Sequence, residues 1–202
     1  MKPQALQALM ATSLLFTGHM IDRPDRTEPR FPATLETAAR ARIAKAVESY
    51  TPSSSNHLQT SQVSSVMGFA SGARGGDILF HEECRRHAID TVIMIPFEPE
   101  TFIKSSVAIE GIDDGTWPRR FWSLWNTTPP ERRHVLSLSR DDEAYAICNT
   151  RLLELARRHG RIHLIALWDG KDGDGPGGTA DLVAKARMED DPDVFSPESL
   201  RG

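Results

Sequence analysis

Cysteine is scarce in this sequence, which contains only Cys84 and Cys148 in 202 residues. Both fall on predicted helices among apolar neighbours, so two reduced core thiols are a better interpretation than a disulfide framework. An excess of basic residues is also missing, and the formal net charge of −4 argues against general nucleic-acid binding. No apolar run approaches the length needed to cross a bilayer. These absences predict a cytoplasmic protein without membrane or nucleic-acid partners.

The common metal-binding and catalytic motifs are missing as well. The run 81–87 resembles a zincin helix, but HExxH requires histidine where Arg85 stands. The run 172–183 hints at a calcium loop, but Val183 occupies the position that requires a bidentate glutamate. No GxSxG elbow occurs, and the glycine spacing matches neither GxGxxG nor the P-loop. The sequence therefore predicts no metal and no cofactor.

What the sequence does contain is an alternation of strand and helix patterns. Its hydrophobic content of 39% and charged content of 26% are ordinary for a globular domain. Short β-branched or apolar runs alternate with segments in which apolar residues recur at helical spacing. This order predicts an α/β fold, namely a Rossmann-like three-layer sandwich with a mostly parallel sheet of about five strands. The predicted strands are 12–17, the apolar run that begins at Val63, 91–95, 134–138 and 162–168.

One domain accounts for most of the chain. Residues 1–11 are predicted to be an N-terminal arm, residues 12–188 the folded domain, and residues 189–202 an acidic flexible tail. The proline- and charge-rich segment 23–32 is longer than a connector needs to be, which is compatible with a lid over a functional site.

The stretch 63–97 organises the rest of the chain, because it reads as a strand, a glycine-rich turn, a helix and a second strand. Gly72, Gly75 and Gly76 in the turn let the backbone approach a ligand with its N–H groups exposed. These N–H groups and the helix dipole favour an anion such as phosphate, and the Arg74 guanidinium can bind phosphate through two hydrogen bonds. The alternative interpretation is that these glycines only form a tight turn and bind no ligand.

Two further strand ends carry glycine and polar residues. The first strand ends at Gly18 and His19, and the last is followed by the glycine-rich run 169–179. Because the carboxyl ends of parallel strands lie at one edge of the sheet, we expect the three corners to meet there and form a ligand site. The candidate ligand- and phosphate-binding residues are Thr17, Gly18, His19, Ser71, Gly72, Ala73, Arg74, Gly75, Gly76, Asp77, Asp169, Gly177, Gly178 and Thr179.

Two features of the helices are open to more than one interpretation. Four aromatic residues recur at helical spacing between Trp117 and Trp125. Core packing is favoured for them over base stacking, and their helix is a candidate homodimer surface if it is exposed. Asn149 lies on the apolar stripe of its helix, so it either bonds neighbouring backbone or reaches a ligand.

With the glycine corners in place, the chain resembles the SLOG superfamily of Rossmann-like domains, which includes the Lonely Guy phosphoribohydrolases and the DNA-processing protein A family. It is most similar to the domain appended to some bacterial adenylate/guanylate cyclases and tetratricopeptide-repeat proteins. The matching stretches are LFTGHMID (15–22), GFASGARGGDILFHE (68–82), IPFEPETFIKSSV (95–107) and WDGKDGDGPGGTADLVAKAR (168–187).

The resemblance implies a nucleotide or nucleotide-derived ligand, with its phosphate on the loops 71–76 and 177–179. Enzymes of this superfamily cleave N-glycosidic bonds of nucleoside monophosphates, and a nearby carboxylate stabilises the oxocarbenium ion that develops. The Lonely Guy signature PGGxGTxxE is shortened in the run 176–181 and lacks the glutamate. Asp181 is the candidate catalytic substitute, and Asp77 is a second candidate.

Functions of three classes therefore stay open. In the similar proteins the domain is fused to signalling modules, which favours a sensor that binds a nucleotide-derived small molecule. The alternative is an N-glycosidase or phosphohydrolase that acts on nucleotides. A protein-interaction domain with a vestigial cleft is the third option, and a homodimer is compatible with each of them.

Overall fold

The computed structural model describes residues 11–51, 65–109, 111, 115–141, 143–171, 177–186 and 192–201. The strands are β1 (Thr12–Gly18), β2 (Val66–Ala70), β3 (Asp90–Ile95), β4 (Arg133–Val135), β5 (Arg161–Leu167) and β6 (Asp193–Phe195). The helices are α1 (Glu36–Glu48), α2 (Gly76–Arg86), α3 (Pro99–Phe102), α4 (Thr116–Thr127), α5 (Ala144–His159) and α6 (Thr179–Ala186). A π-helical segment, Ile103–Val107, follows α3 directly.

The six strands form one parallel sheet in the order β4-β3-β2-β1-β5-β6. The chain builds outward from β1 through β2, β3 and β4, and then crosses back to add β5 and β6 on the other side. The order therefore reverses between β1 and β5, and open α/β sheets bind ligands beside such a reversal. The predicted Rossmann-like α/β sandwich is confirmed, with six strands instead of about five.

Alternate side chains of the strands pack into two separate cores, because successive residues of a strand point to opposite faces. On β1, Leu14 and Phe16 belong to the core shared with α1, α2 and α4, whereas Leu15 belongs to the core shared with α5 and α6. The Phe16 ring stacks on Phe80 of α2, with 4.9 Å between the ring centres. Covering both faces of the sheet explains why the central strands are continuous apolar runs.

The C-terminal segment differs from the flexible tail that its acidic composition predicts. Residues 193–195 form β6, which pairs with β5 from Ile165 to Leu167, and Phe195 is buried. The Arg42 guanidinium carbon lies 4.7 Å from the centre of the Phe195 ring. Three residues are too few to show a strand period, so only the tertiary pairing reveals this strand. The predicted arm lies outside the described residues, apart from Ala11.

The helix that begins at Pro99 is irregular, since α3 gives way to the π-helical segment. Helix α4 is not an exposed dimer surface, because Trp117, Phe121 and Trp125 are buried in the core. Core packing of these aromatic residues is therefore confirmed. In the described part of the chain, no helix is both long enough and apolar enough to span a membrane.

Candidate functional site

A cavity of about 790 Å³ opens beside the carboxyl ends of β1 and β2. Its wall combines the end of β1, the loop after it, the β2–α2 turn, the first half of α5 and the start of α6. The volume lies within the range of small-molecule sites. The sequence-predicted residues that line the cavity are Thr17, Gly18, His19, Ser71, Ala73, Arg74, Asp77, Gly177, Gly178 and Thr179. Those that do not line it are Gly72, Gly75, Gly76 and Asp169.

Gly75 and Gly76 pack the β2–α2 turn against the loop that follows β1. Gly75 has a φ of +90°, and a Cβ there would lie 2.5 Å from the amide nitrogen of Ile21. The Gly76 amide donates a hydrogen bond to the His19 carbonyl oxygen at 3.2 Å. The interpretation of these two glycines as points of close ligand approach is therefore wrong. Because they have no side chains, they let the backbone of the β2–α2 turn pack directly on the backbone of the loop after β1.

Arg74 joins the β2–α2 turn to backbone of two other segments. Its side chain is buried, and its Nε donates to the Ile21 carbonyl at 2.9 Å while Nη1 donates to the Ala108 carbonyl at 3.4 Å. The Arg74 amide donates to the Ser106 carbonyl at 3.0 Å. The guanidinium and the amide thus both bond backbone carbonyls, and because Arg74 also lines the cavity, its contact with a phosphate stays a prediction.

Asp77 is the one predicted catalytic carboxyl that reaches the cavity. It lies in the first turn of α2, is only 7% exposed, and accepts a hydrogen bond from the Ala73 amide at 3.2 Å. Burial raises the pKa of Asp77 to about 7, and the Ala73 amide opposes this only in part. Desolvation thus outweighs the helix dipole, which favours the ionised form at this position. A carboxyl that gains or loses a proton near neutral pH is suited to acid–base chemistry.

Cys148 lines the cavity from α5. Burial raises the pKa of its thiol to about 12, and the nearby Asp77 acts in the same direction. The thiol therefore stays protonated at neutral pH and is a weak nucleophile. The predicted pair of buried, unbridged cysteines is confirmed.

His19, which is buried, and Asp169, which is half-buried, form a polar cluster at the ends of β1 and β5. Arg30 binds both carboxylate oxygens of Asp169, at 2.9 and 3.0 Å, and the Asp169 amide donates to Nε2 of His19 at 3.1 Å. Burial and then the charge of Arg30 lower the pKa of His19, so the imidazole is neutral. Burial acts to raise the pKa of Asp169, but hydrogen bonds from Arg30 and the Lys171 amide hold it well below its usual value. This cluster holds His19 and Arg30, which both line the cavity, in place.

The segment predicted as a lid is an ordered wall of the cavity. The Asp22 carboxylate accepts hydrogen bonds from the amides of Arg30 and Phe31, at 2.8 and 2.7 Å. This closes a loop whose tip supplies Arg23 and Arg26 to the cavity wall. Arg26 lies 3.6 Å from Asp22 and Arg23 lies 3.2 Å from Asp25, so these two arginines are paired with acids of the same loop.

The start of α6 is held against α5. A Cβ at Gly177, where φ is +79°, would collide with the backbone of Ala146, so glycine is required there. Asn149 lines the cavity, and it donates to the Gly177 carbonyl at 2.8 Å and to the Asp181 carboxylate at 3.2 Å, so its amide nitrogen holds α6 in place. The same Asp181 oxygen accepts from Lys185 at 2.8 Å. Asp181 does not line the cavity, so the structure contradicts its assignment as the catalytic carboxylate.

The first turn of α6 lies in the cavity wall. Gly178, Thr179 and Ala180 line the wall, and the first intrahelical bond runs from the Asp181 amide to the Gly178 carbonyl at 3.1 Å. The N–H groups at the start of a helix have no partner within the helix. This turn therefore retains the anion-binding character that the β2–α2 turn loses to internal hydrogen bonds.

Sequence reasoning missed three hydroxyl groups in the cavity wall. Ser105 and Ser106 come from the π-helical segment, and Tyr145 comes from the face of α5 that also carries Cys148. The helical spacing of Tyr145, Cys148 and Asn149 predicts that this face of α5 belongs to the core. A tyrosine and an asparagine on one otherwise apolar helical face are the signal that indicates a site.

Comparisons with family models, with curated proteins and with solved structures found no match. No cluster of three or more metal-ligating side chains occurs within the part of the chain that the structure describes.

Proposed function

We propose that the cavity binds a nucleotide-derived small molecule and that the chain is a SLOG-type sensor domain. The single observation that carries the proposal is a cavity of about 790 Å³ beside the point where the strand order reverses, with the first turn of α6 in its wall. A nucleoside monophosphate fits within this volume. The location is the one at which open α/β sheets bind nucleotides.

The phosphate is assigned to Gly178–Ala180 rather than to the β2–α2 turn. In that turn, the amides of Ala73, Arg74 and Gly76 already donate to groups within the protein. At the start of α6, the helix dipole and the amides that have no partner within the helix together favour an anion. The base and sugar then extend across the cavity toward Asp77.

Nucleoside monophosphates are expected to bind at least tenfold more tightly than the corresponding nucleosides, as measured by isothermal titration calorimetry with AMP, GMP, CMP and UMP. Thr179→Pro removes one amide donor at the first position of α6, where proline is compatible with a helix. This variant should weaken monophosphate binding five- to tenfold and leave nucleoside binding unchanged. Thr179→Val, which keeps the amide, is the matched control.

Two results would contradict the phosphate assignment. One is equal affinity for nucleosides and monophosphates. The other is a Thr179→Pro variant that weakens both classes of ligand by the same factor, since that would report damage to the cavity rather than loss of an anion contact.

A second candidate function, N-glycosidic cleavage of a nucleotide, is favoured by Asp77. A buried carboxyl with a pKa of about 7 is half protonated at neutral pH, and a general acid needs that property in order to protonate a leaving base. The neutral form is the active one in this role. Activity should therefore fall as the pH rises through about 7.

Incubation with the same four monophosphates, followed by chromatography of the released base, tests this second function. Asp77→Asn should lower base release at least 100-fold, because removing a general acid typically has an effect of this size. Asp181→Asn should retain activity, since this carboxylate pairs with Lys185 outside the cavity. If Asp181→Asn lowered base release more than Asp77→Asn, the assignment of Asp77 as the general acid would be refuted. Tight binding without base release would leave the sensor as the function.

A further inference from the structure

Three hydroxyl groups form a compact cluster in the cavity wall, here called the hydroxyl cluster. The Tyr145 oxygen lies 3.0 Å from Ser105 Oγ and 2.9 Å from Ser106 Oγ, and the two serine oxygens are 3.1 Å apart. Tyr145 lies 39 residues from Ser106 in the chain, so the cluster is a product of the tertiary fold. The Tyr145 ring is fixed by an edge-on contact with Phe97, at 5.5 Å between ring centres.

The π-helical segment is what lets two successive serines reach one tyrosine. On a regular α-helix, neighbouring residues point about 100° apart, so Ser105 and Ser106 would diverge. The wider turn of Ile103–Val107 brings both hydroxyls to Tyr145. Single π-turns of this kind occur frequently at functional sites.

Counting protons shows what the hydroxyl cluster offers to a ligand. Each hydroxyl donates one hydrogen bond and accepts two. Ser105 lies within hydrogen-bonding distance of the Phe102 carbonyl, at 3.2 Å, so its proton goes to backbone. Tyr145 donates its proton to Ser105, and Ser106 then donates its proton to Tyr145, so both protons are used within the cluster. What remains are oxygen lone pairs, which accept hydrogen bonds, so the cluster favours a neutral donor and disfavours a phosphate.

The position of the cluster indicates which part of a nucleotide meets it. Gly177 packs directly on the backbone of Tyr145, so the first turn of α6 begins beside this tyrosine. In a nucleotide, the group next to the phosphate is the ribose, whose hydroxyls are hydrogen-bond donors. We propose that the hydroxyl cluster is a ribose subsite, so that the protein selects ribonucleotides over deoxyribonucleotides. This inference rests on the proposed function, because it places the phosphate at α6.

The test compares ribose and deoxyribose forms of one nucleotide by isothermal titration calorimetry. AMP, 2′-deoxy-AMP and 3′-deoxy-AMP are titrated into the full chain, and the same series is made for the base that binds most tightly. At least one deoxy form should bind about tenfold more weakly, as expected when a buried acceptor loses its donor. In Tyr145→Phe and Ser106→Ala, the ratio between ribose and deoxyribose forms should fall to about twofold.

Tyr50→Phe is the matched control, since Tyr50 is the other tyrosine of the sequence and does not line the cavity. It should keep the full tenfold ratio, and thermal melts of all variants verify folding. Equal binding of ribose and deoxyribose forms by the wild type would overturn the ribose subsite and leave nucleotide binding intact. A tenfold ratio that survives in both cluster variants would overturn it as well. Absence of binding by every nucleotide would overturn the proposed function and the subsite together.

Discussion

Asp77→Asn is expected to stabilise the protein at pH 8 and to leave its stability nearly unchanged at pH 4. The carboxyl has an ordinary pKa of 3.8, which burial raises to about 7 in the folded state. Below about pH 4 the group is protonated in both the folded and the unfolded chain. As the pH rises toward 7, only the unfolded chain ionises readily, so the wild-type protein loses stability across this interval and carries the full penalty above pH 7.

The size of this effect makes it straightforward to measure. A pKa change from 3.8 to about 7 corresponds to about 4 kcal/mol. Asparagine keeps an oxygen that accepts the Ala73 amide hydrogen and carries no charge, so the variant should gain roughly 2–4 kcal/mol at pH 8. The corresponding rise in Tm is roughly 5–15 °C.

Urea denaturation at pH 4, 6 and 8 provides the measurement, with Asp181→Asn as the control. Asp181 is partly exposed and paired with Lys185, so its replacement should cost less than about 1 kcal/mol at every pH. An Asp77→Asn variant whose gain in stability does not depend on pH would show that Asp77 is not desolvated. Such a stabilising change at a cavity carboxyl is typical of a functional site, where activity is maintained at the expense of stability.

Gly75→Ala is expected to destabilise the fold by about 3 kcal/mol or more. A φ of +90° strains any residue with a Cβ, and the new methyl group would lie 2.5 Å from the Ile21 amide nitrogen and 3.0 Å from the His19 carbonyl oxygen. Both neighbours are backbone atoms, which cannot move aside as the end of a side chain can. The β2–α2 turn would have to separate from the β1 loop, and the cavity wall would shift with it.

Gly170→Ala separates the cost of backbone strain from the cost of the steric collision. Gly170 has a φ of +80°, but a Cβ there would meet no atom of the described residues within 4 Å, so this variant reports backbone strain, at about 1 kcal/mol. Thermal melts of both variants give the comparison, with an expected loss in Tm of roughly 10 °C for Gly75→Ala and 2–4 °C for Gly170→Ala. Equal losses would mean that the turn can relax away from the β1 loop.

The sequence could not decide between the two candidate catalytic aspartates. Asp181 and Asp77 are both aspartates in the first turn of a helix that follows a glycine-rich loop. Only the packing of the helices decides that Asp77 faces the cavity and that Asp181 pairs with Lys185. A hydrogen bond between residues that are far apart in the sequence cannot be recognised from the local spacing of residue types.

The sequence by itself determined the layers of this protein and the location of its cavity. Periodic apolar residues define helices and strands through local geometry, and parallel strands necessarily bring their glycine-bearing ends, such as Gly18 and Gly72, to one edge. Only the tertiary structure decided which hydrogen-bonding groups at that edge stay available to a ligand. It directed Arg74 and its neighbouring amides to internal carbonyls and gathered the hydroxyl cluster from two segments. The reason is physical: hydrogen-bond donors and acceptors are satisfied by whatever the fold brings within 3 Å, and those partners lie tens of residues away.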